Sequence, residues 1–157
     1  MSRYFCHYAS PLGNLDLIAD EHALLAVLSQ DATALQDAVF DPEQAILKQT
    51  QVELNEYFAG QRREFSVPLA PQGTAFQKRA WQALGQIPYG QTRSYLQQAQ
   101  LLGNAKAVRA VGGANGKNPI LILIPCHRVI GANGKLVGFS SGIEKKQFLL
   151  KLEQKAQ

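Results

Sequence analysis

A cysteine, a histidine and an arginine stand side by side at Cys126, His127 and Arg128, after a run of five branched aliphatic residues and one proline. The aliphatic run, residues 120–124, is typical of a short strand that is buried on both faces. Pro125 cannot donate a hydrogen bond to a neighbouring strand, so we expect the strand to end there. Buried cysteines are common and inert, but a thiol beside an imidazole and a cation is in a setting that favours a reactive thiolate. On these residues alone, Cys126 is either a core residue or a nucleophile.

Charge is distributed unevenly along the 157-residue chain, whose formal net charge is +4. Residues 1–71 carry four cations against ten carboxylates, whereas residues 72–157 carry twelve cations against two. A strongly basic half indicates a polyanionic partner such as a nucleic acid, although a basic surface also serves solubility alone.

The chain shows no sign of membrane attachment or export. No apolar run approaches the roughly 20 residues that a membrane-spanning helix needs, and the N-terminus lacks the apolar core of a signal peptide. Two cysteines, Cys6 and Cys126, fit a reducing compartment better than a disulfide framework. We therefore expect a cytoplasmic protein.

The first 70 residues predict a small α/β unit. Three moderately alternating segments, residues 3–9, 15–19 and 24–28, predict an antiparallel meander. Asp41, followed by a proline, is typical of a helix start, and Gly60 is typical of its end. Residues 68–73 contain two prolines and a glycine where the charge changes sign, as a linker does. We therefore expect two domains, residues 1–70 and 71–157.

Cys6, His7 and His22 are of residue types that bind zinc. Their spacing matches no standard zinc motif, and a fourth ligand is not evident. We expect no metal site.

Three helices are predicted after the linker. Thr74 caps the first, the second begins at Thr92 or Ser94 and runs to residue 102, and the third covers residues 105–112. A helix, a short glycine-containing turn and a second helix form a helix-turn-helix unit, in which the last helix is the recognition helix.

The predicted recognition helix consists mostly of small residues, with Arg109 as its long projecting side chain. Long polar side chains that read bases in the major groove are missing, which favours contact with the minor groove. Tight packing between helices would also explain the small residues. The glycines of residues 112–116 and the pair Asn118-Pro119 are interpreted as the turn that leads into the aliphatic strand.

The C-terminal part predicts a hairpin and a helix. Residues 131–134 contain an Asn-Gly pair typical of a hairpin turn or wing, and residues 138–142 predict a polar loop. A last helix from Ile143 is expected to direct Phe148, Leu149 and Leu152 inward.

Pro125-Cys126-His127-Arg128-Val129 and the aliphatic run resemble the active-site signature of O6-alkylguanine-DNA alkyltransferases, or methylated-DNA–protein-cysteine methyltransferases. The resemblance extends from about Thr74 to Glu153, and its further matches are Tyr95, Arg109-Ala110-Val111-Gly112-Gly113, Asn118-Pro119 and Gly138-Phe139-Ser140. It implies an α+β fold, in which a small ribonuclease-H-like α/β unit precedes a winged helix-turn-helix-like DNA-binding and catalytic domain.

The resemblance also implies a role for each matching residue. Cys126 would accept the alkyl group, activated by His127 and Glu153 through a water molecule. Arg109 would replace a flipped base in the stack, and Tyr95 would press on the 3′ phosphate and donate a proton to guanine N3. Further DNA contacts are assigned to Ser94, Ala110, Gly112 and Arg128, and the substrate pocket to Asn118, Val129, Phe139 and Ser140.

The implied function is direct-reversal DNA repair. The alkyl (methyl) group of O6-alkylguanine, and by extension of O4-alkylthymine, would move irreversibly to Cys126 after the damaged base is flipped out of the duplex. Because the thioether product has no facile leaving route, each molecule would act once. The expected partner is double-stranded DNA bound mainly through the minor groove, with no cofactor and no obligate protein partner.

Two alternatives compete with this interpretation. A non-catalytic damage-recognition DNA-binding protein would have the same fold, but such proteins lack the cysteine. A cysteine hydrolase would use Cys126 and His127, yet adjacent positions are a poor layout for a hydrolytic dyad.

Overall fold

A computed structural model of the chain describes residues 2–131 and 142–155. The chain forms two compact units, Met1–Gln72 and Gly73–Gln157. Unit 1 contains the larger sheet, and unit 2 is mainly helical. The mixed α+β class expected from the sequence is therefore confirmed.

Unit 1 is built on a four-stranded sheet with the strand order β3-β2-β1-β4. The predicted antiparallel meander is confirmed, and a short fourth strand pairs in parallel with β1. The elements of this unit are β1 (Tyr4–Ser10), β2 (Gly13–Ala19), β3 (Leu24–Ser29), a 3₁₀ helix (Ala32–Leu35), β4 (Val39–Phe40) and α1 (Ala45–Phe58).

Helix α1 begins three residues later than the sequence predicted, with Gln44 and not Asp41 at the N-cap. Gln44 caps it by accepting a hydrogen bond from the backbone N–H of Leu47. Asp41 instead accepts a hydrogen bond from the N–H of Glu43, which closes a turn before the helix. Asx turns and N-caps use the same side-chain oxygens, so the sequence pattern did not separate the two.

Unit 2 contains a helix-turn-helix arrangement followed by the cysteine segment and a C-terminal helix. Capping boxes formed by Thr74 with Gln77 and by Ser94 with Gln97 define the starts of its first two helices. The elements are α2 (Ala75–Leu84), β5 (Arg93–Ser94), α3 (Tyr95–Leu101), α4 (Val108–Gly116), a 3₁₀ helix (Cys126–Arg128), β6 (Val129–Ile130) and α5 (Ile143–Lys155).

Helix α4 corrects the sequence interpretation of the recognition helix. It starts at Val108 rather than at residue 105, and the glycine-rich segment 112–116, expected to be a turn, is helical. Each helical glycine costs roughly 1 kcal/mol relative to alanine, so packing must compensate. Trp81 Nε1 donates to the carbonyl of Ala114 at 2.8 Å, which fixes this end of the helix.

A buried amide pair joins helices α2, α3 and α4 of this unit. Asn115 Nδ2 donates to Gln98 Oε1 at 2.7 Å, and Gln98 Nε2 donates to Asn115 Oδ1 at 2.9 Å and to the carbonyl of Ala80 at 3.1 Å. Buried amides with satisfied hydrogen bonds favour one arrangement of the helices over alternative arrangements. The pair therefore sets the orientation of α4 against α2 and α3.

The prediction that residues 120–124 form a strand is wrong. Residues 121–124 form a compact turn, and Ile122 has a positive φ of 74°. The run is nonetheless buried throughout, so burial was inferred correctly from its composition. A β-branched residue in the left-handed region is strained, and the strain is tolerated because the surrounding contacts hold the turn.

The C-terminal helix α5 was predicted at its start but not in its buried face. Leu149 is buried as expected, whereas Phe148 is 40% exposed and the prediction that it points inward is wrong. The predicted wing and the loop at residues 138–142 lie almost entirely outside the described residues. No helix in the described part of the chain is long and apolar enough to cross a membrane.

Candidate active site

Cys126 is the first residue of the 3₁₀ helix that follows the strained turn, and it is only 5% exposed. Asn118 Nδ2 donates to its Sγ at 3.2 Å and to the carbonyl of Ile124 at 2.8 Å. Asn118 Oδ1 accepts from the N–H of Ile120 at 3.0 Å. One amide side chain therefore holds both ends of the turn and contacts the thiol directly.

His127 is fully buried beside the thiol residue and points to helix α5. Its Nε2 donates to Glu153 Oε2 at 2.7 Å. Its Nδ1 is buried and forms no hydrogen bond with the described residues. In the neutral imidazole Nδ1 is then the nitrogen that can accept a proton.

Arg128 is 7% exposed and completes a buried cluster with Glu153. Its Nε and Nη2 donate to the two carboxylate oxygens at 2.8 and 3.1 Å, and its Nη1 donates to the carbonyl of Ile87 at 2.7 Å. The N–H of Gly90 also donates to Glu153. A DNA contact by Arg128 does not fit this geometry, because the guanidinium is engaged inside the protein.

Burial and hydrogen bonding act in opposite directions on the ionisable groups of this cluster. Burial raises the pKa of the Cys126 thiol, and the Asn118 amide and the charge of Lys146 oppose that shift. Burial lowers the pKa of His127, although its contact with Glu153 opposes this. Burial also disfavours ionised Glu153, but contacts with His127 and Arg128 outweigh it and lower the carboxyl pKa. A neutral imidazole and an ionised carboxylate follow.

The stability of the protein should fall as the pH drops below about 6.5, the ordinary pKa of histidine. Because His127 has a lowered pKa in the folded state, the unfolded chain takes up its proton first, and the stability is lost as the pH falls through the folded-state pKa. His127→Gln should flatten this slope in denaturant unfolding between about pH 7 and pH 5. The exposed His22 provides the control, His22→Gln. A wild-type slope in His127→Gln would contradict a buried neutral imidazole.

Lys146 is a residue of this site that the sequence interpretation missed. It is 1% exposed, and its Nζ donates to the carbonyl of Val129 at 2.5 Å. Its spacing of three and seven residues from Leu149 and Glu153 places it on their face of α5. That periodicity is the one sequence signal that could have revealed it.

Tyr95 is the first residue of α3 and lies against the recognition helix. A Cβ added to Gly112 would lie 3.9 Å from the Tyr95 ring, an ordinary van der Waals distance, so the ring packs over this position of α4. Burial raises the pKa of the Tyr95 phenol, and the charge of Cys126 adds to that shift. The phenol therefore keeps its proton and lies within electrostatic range of the thiol.

The remaining sequence-predicted residues are distributed around this cluster. Arg109 and Ala110 are exposed on α4, and Ser94 uses its hydroxyl to cap α3. Val129 is buried, with its N–H donating to the carbonyl of Cys126. Phe139 and Ser140 lie outside the described residues.

The second thiol, Cys6, is not suited to act as a nucleophile. It is buried in strand β1, where burial and the charge of Asp16 raise its pKa to about 11. About one molecule in ten thousand would carry its thiolate at pH 7. Among the described residues, no three His, Cys, Asp or Glu side chains are grouped to hold a metal ion.

These features define a class of protein: a helix-turn-helix unit in which the thiol of Cys126 is buried next to a histidine–carboxylate pair. Comparisons with known proteins specify the family. Residues 75–155 match the family model described as the 6-O-methylguanine DNA methyltransferase DNA-binding domain, and residues 4–71 match that of its ribonuclease-like domain. The chain belongs to the 6-O-methylguanine DNA methyltransferase family, as the sequence motifs predicted.

Several relatives resemble the chain over nearly its whole length. The methylated-DNA–protein-cysteine methyltransferase of Methanosarcina acetivorans is 48% identical, over 96% of this chain and 97% of that protein. The constitutive enzyme of that name from Bacillus subtilis is 43% identical, over 96% and 95%. The crystal structure of Mycobacterium tuberculosis OGT in complex with DNA is similar with a TM-score of 0.90 and 44% identity, covering 99% of this chain and 94% of that one.

Proposed function

We propose that this protein repairs DNA directly by moving the alkyl group of an O6-alkylguanine in duplex DNA to the Sγ of Cys126, once per molecule. The observation that carries the proposal is the placement of Cys126 in the helix-turn-helix unit, with Asn118 on its sulfur and the buried His127–Glu153 pair beside it. The names of the similar proteins, methylated-DNA–protein-cysteine methyltransferase, support it.

The reaction is a nucleophilic displacement at the alkyl carbon. The thiol of Cys126 loses its proton towards His127, whose Nδ1 is the available acceptor. A sulfur–carbon bond forms, the bond between that carbon and guanine O6 breaks, and its electron pair stays on the base. The base takes up one proton, so that unmodified guanine and S-alkylcysteine are the products. No cofactor enters, because the alkyl donor is the damaged DNA.

Glu153 has a supporting role in this step. Its carboxylate accepts the Nε2 hydrogen of His127, which fixes the tautomer and stabilises positive charge on the ring while the proton is held. Arg128 and the N–H of Gly90 keep the carboxylate in place. Tyr95 is suited to supply the proton of the departing base, because its phenol keeps its proton and lies within electrostatic range of the thiol.

An O6-alkyl group lies at the pairing edge of guanine, so the nucleotide must leave the duplex to meet a buried thiol. Helix α4 presents exposed Arg109 and small neighbouring residues such as Ala110. A helix of this kind can approach the minor groove closely and insert one long side chain into the gap in the stack. The basic composition of residues 72–157 supports attraction to the phosphate backbone.

The substrate class follows from the same chemistry. O4-alkylthymine also carries its alkyl carbon on an exocyclic oxygen at the pairing edge, so it is the expected second substrate. The protein needs no obligate protein partner in this scheme, because nucleophile, proton acceptor and recognition helix belong to one unit.

The test is an intact-mass spectrum after mixing the protein with duplex DNA that contains one O6-methylguanine. We expect the mass to rise by one CH2, because a methyl group replaces the thiol hydrogen, and digestion should locate the gain on the peptide that contains Cys126. The reaction should stop at one methyl group per protein molecule. An unchanged mass together with tight binding to the modified duplex would instead support a non-catalytic damage-recognition protein. An unchanged mass without binding would refute both.

Arg109→Ala should separate base extrusion from chemistry. On modified duplex DNA the transfer rate should fall by about tenfold to a hundredfold, which corresponds to losing one side chain worth roughly 1–3 kcal/mol in the complex. With O6-benzylguanine as a free base no extrusion is needed, and the rate should match that of the wild type. Exposed Lys106, changed to Ala, is the control for a simple loss of positive charge. Equal losses on duplex and free base would contradict the role of Arg109 in extrusion.

A further inference from the structure

Lys146 is a buried lysine in the thiol cluster to which the mechanism above assigns no task. It lies in the first half of α5 and is 1% exposed, with its ammonium donating to the carbonyl of Val129. Lysine is almost never fully buried, since removing an ammonium group from water is costly. A buried ammonium therefore needs polar partners that compensate for its lost hydration.

The contact with the Val129 carbonyl anchors the Lys146 amine on the segment that carries the nucleophile. Val129 follows directly after the 3₁₀ helix that begins with Cys126, and its own N–H donates to the Cys126 carbonyl. Helix α5 packs against that segment and also supplies Glu153. Burial lowers the pKa of Lys146, and the charge of Cys126 opposes that shift. The charge of Lys146 in turn favours ionised Cys126.

The other ionisable groups around Cys126 are poorly suited to favour its thiolate. His127 is neutral through burial, and Arg128 shares a buried ion pair with Glu153. Tyr95, from α3, is a protonated phenol. Helix α2 also packs against the segment, but its cations Lys78 and Arg79 lie on its exposed face. A cation close to a sulfur in a low-dielectric interior has a much larger effect than one in water.

We propose that Lys146 is a positioning residue of the transfer reaction, whose ammonium is anchored on the Val129 carbonyl and holds positive charge beside Cys126 so that more of the sulfur is thiolate. This proposal rests on the proposed function only for the identity of the reaction that Lys146 assists, which is alkyl transfer. The charge effect itself belongs to the thiol and can be measured without DNA.

Reaction of Cys126 with iodoacetamide provides that measurement. The thiolate displaces iodide, a sulfur–carbon bond forms and the thiol proton passes to solvent, so the pH profile of the rate reports the thiol pKa. Lys146→Met removes charge and hydrogen bond while filling the buried space, and Lys146→Gln removes the charge but keeps a donor for Val129. We expect both variants to react about tenfold more slowly than wild type at pH 7. Their profiles should shift to higher pH and reach the wild-type rate at the alkaline end.

Two further variants make the result specific. Lys146→Arg keeps the charge and should restore the wild-type midpoint, while Lys151→Met removes an exposed lysine from the same helix and should change nothing. A merely structural role would lower the rate at every pH without moving the midpoint. An unmoved midpoint in both Lys146→Met and Lys146→Gln would overturn the proposal.

The same experiment separates failure of this inference from failure of the proposed function. Wild-type protein that does not accept a methyl group from duplex DNA, yet shows the shifted profiles in its Lys146 variants, would leave the inference standing and refute the repair function. Methyl transfer at Cys126 with identical iodoacetamide profiles in all variants would do the reverse.

Discussion

Cys126→Ser should lose nearly all alkyl transfer while keeping its fold and its binding to modified DNA. Serine is close in size to cysteine, and its hydroxyl can still accept the hydrogen bond that Asn118 donates to Sγ. A serine hydroxyl has a far higher pKa than a thiol and is a weak nucleophile without a strong adjacent base, so we expect a rate loss of at least about a thousandfold. Single-turnover kinetics with duplex DNA containing O6-methylguanine measures the loss, and fluorescence anisotropy with the same duplex measures binding.

A matched change at the second cysteine makes this result interpretable. Cys6 is buried in the sheet of unit 1, where its raised pKa of about 11 keeps it protonated. Cys6→Ala should therefore take up one full methyl equivalent, with at most a modest loss of melting temperature from the smaller side chain. Methyl transfer in Cys126→Ser, or its loss in a folded Cys6→Ala protein, would show that Cys126 is not the acceptor.

The family and the order of the main elements could be predicted from the sequence because both depend on local patterns. The Cys126 signature is contiguous, and the capping residues Thr74 and Ser94 stand directly before the helices they start. Alternation in residues 3–29 likewise indicated the meander. Patterns of this kind involve neighbours in the chain, so no tertiary information is needed to interpret them.

The sequence interpretation failed where specific side-chain hydrogen bonds decide the local structure. Residues 120–124 have the composition of a buried strand, but Asn118 bonds to both ends of the segment and stabilises a turn with Ile122 at a positive φ. The glycines of α4 look like a turn, yet Trp81 and Gln98 bind the helix from two other elements. Propensity is a weak prior that such contacts override.

Charged residues of the site were the hardest to interpret from sequence. Arg128 was assigned to a DNA contact through the family resemblance, and Lys146 was not considered as a site residue. Their burial depends on partners that are 25 and 17 residues away, Glu153 and Val129. The spacing of Lys146 from Leu149 and Glu153 could have indicated its buried face of α5, but the sequence does not identify the partner of either cation.

Glu153→Gln should give the largest loss of stability among the single changes considered. The carboxylate is fully buried, and it accepts two hydrogen bonds from Arg128 and one from His127. Neutral glutamine leaves the guanidinium as an uncompensated buried charge, and breaking a buried pair in this way costs about 3–5 kcal/mol. Denaturant unfolding near neutral pH measures the loss. Glu144→Gln, at an exposed position in the first turn of the same helix, should change stability by less than about 0.5 kcal/mol.

The pH dependence of that loss identifies its electrostatic origin. The pKa of Glu153 is lowered in the folded state by His127 and Arg128 despite the opposing effect of burial. Its contribution to stability is therefore complete above the unfolded-state value of about 4.3 and is lost as the pH falls towards the folded-state value. The gap between wild type and Glu153→Gln should narrow as the pH is lowered through this range. A gap that is constant with pH would mean that packing, and not charge, explains the loss.

The rate of alkyl transfer gives a second, independent measure of the role of Glu153. With Glu153→Gln the imidazole of His127 loses the anion that stabilises its protonated form, so transfer should slow by about a hundredfold even where the variant is fully folded. Replacing both partners, as Glu153→Leu with Arg128→Met, removes the buried charge and should recover much of the stability. It should not recover the rate, because His127 still lacks its carboxylate. The two effects of Glu153 can then be measured separately. It stabilises the buried cluster through Arg128, and it assists the reaction through His127.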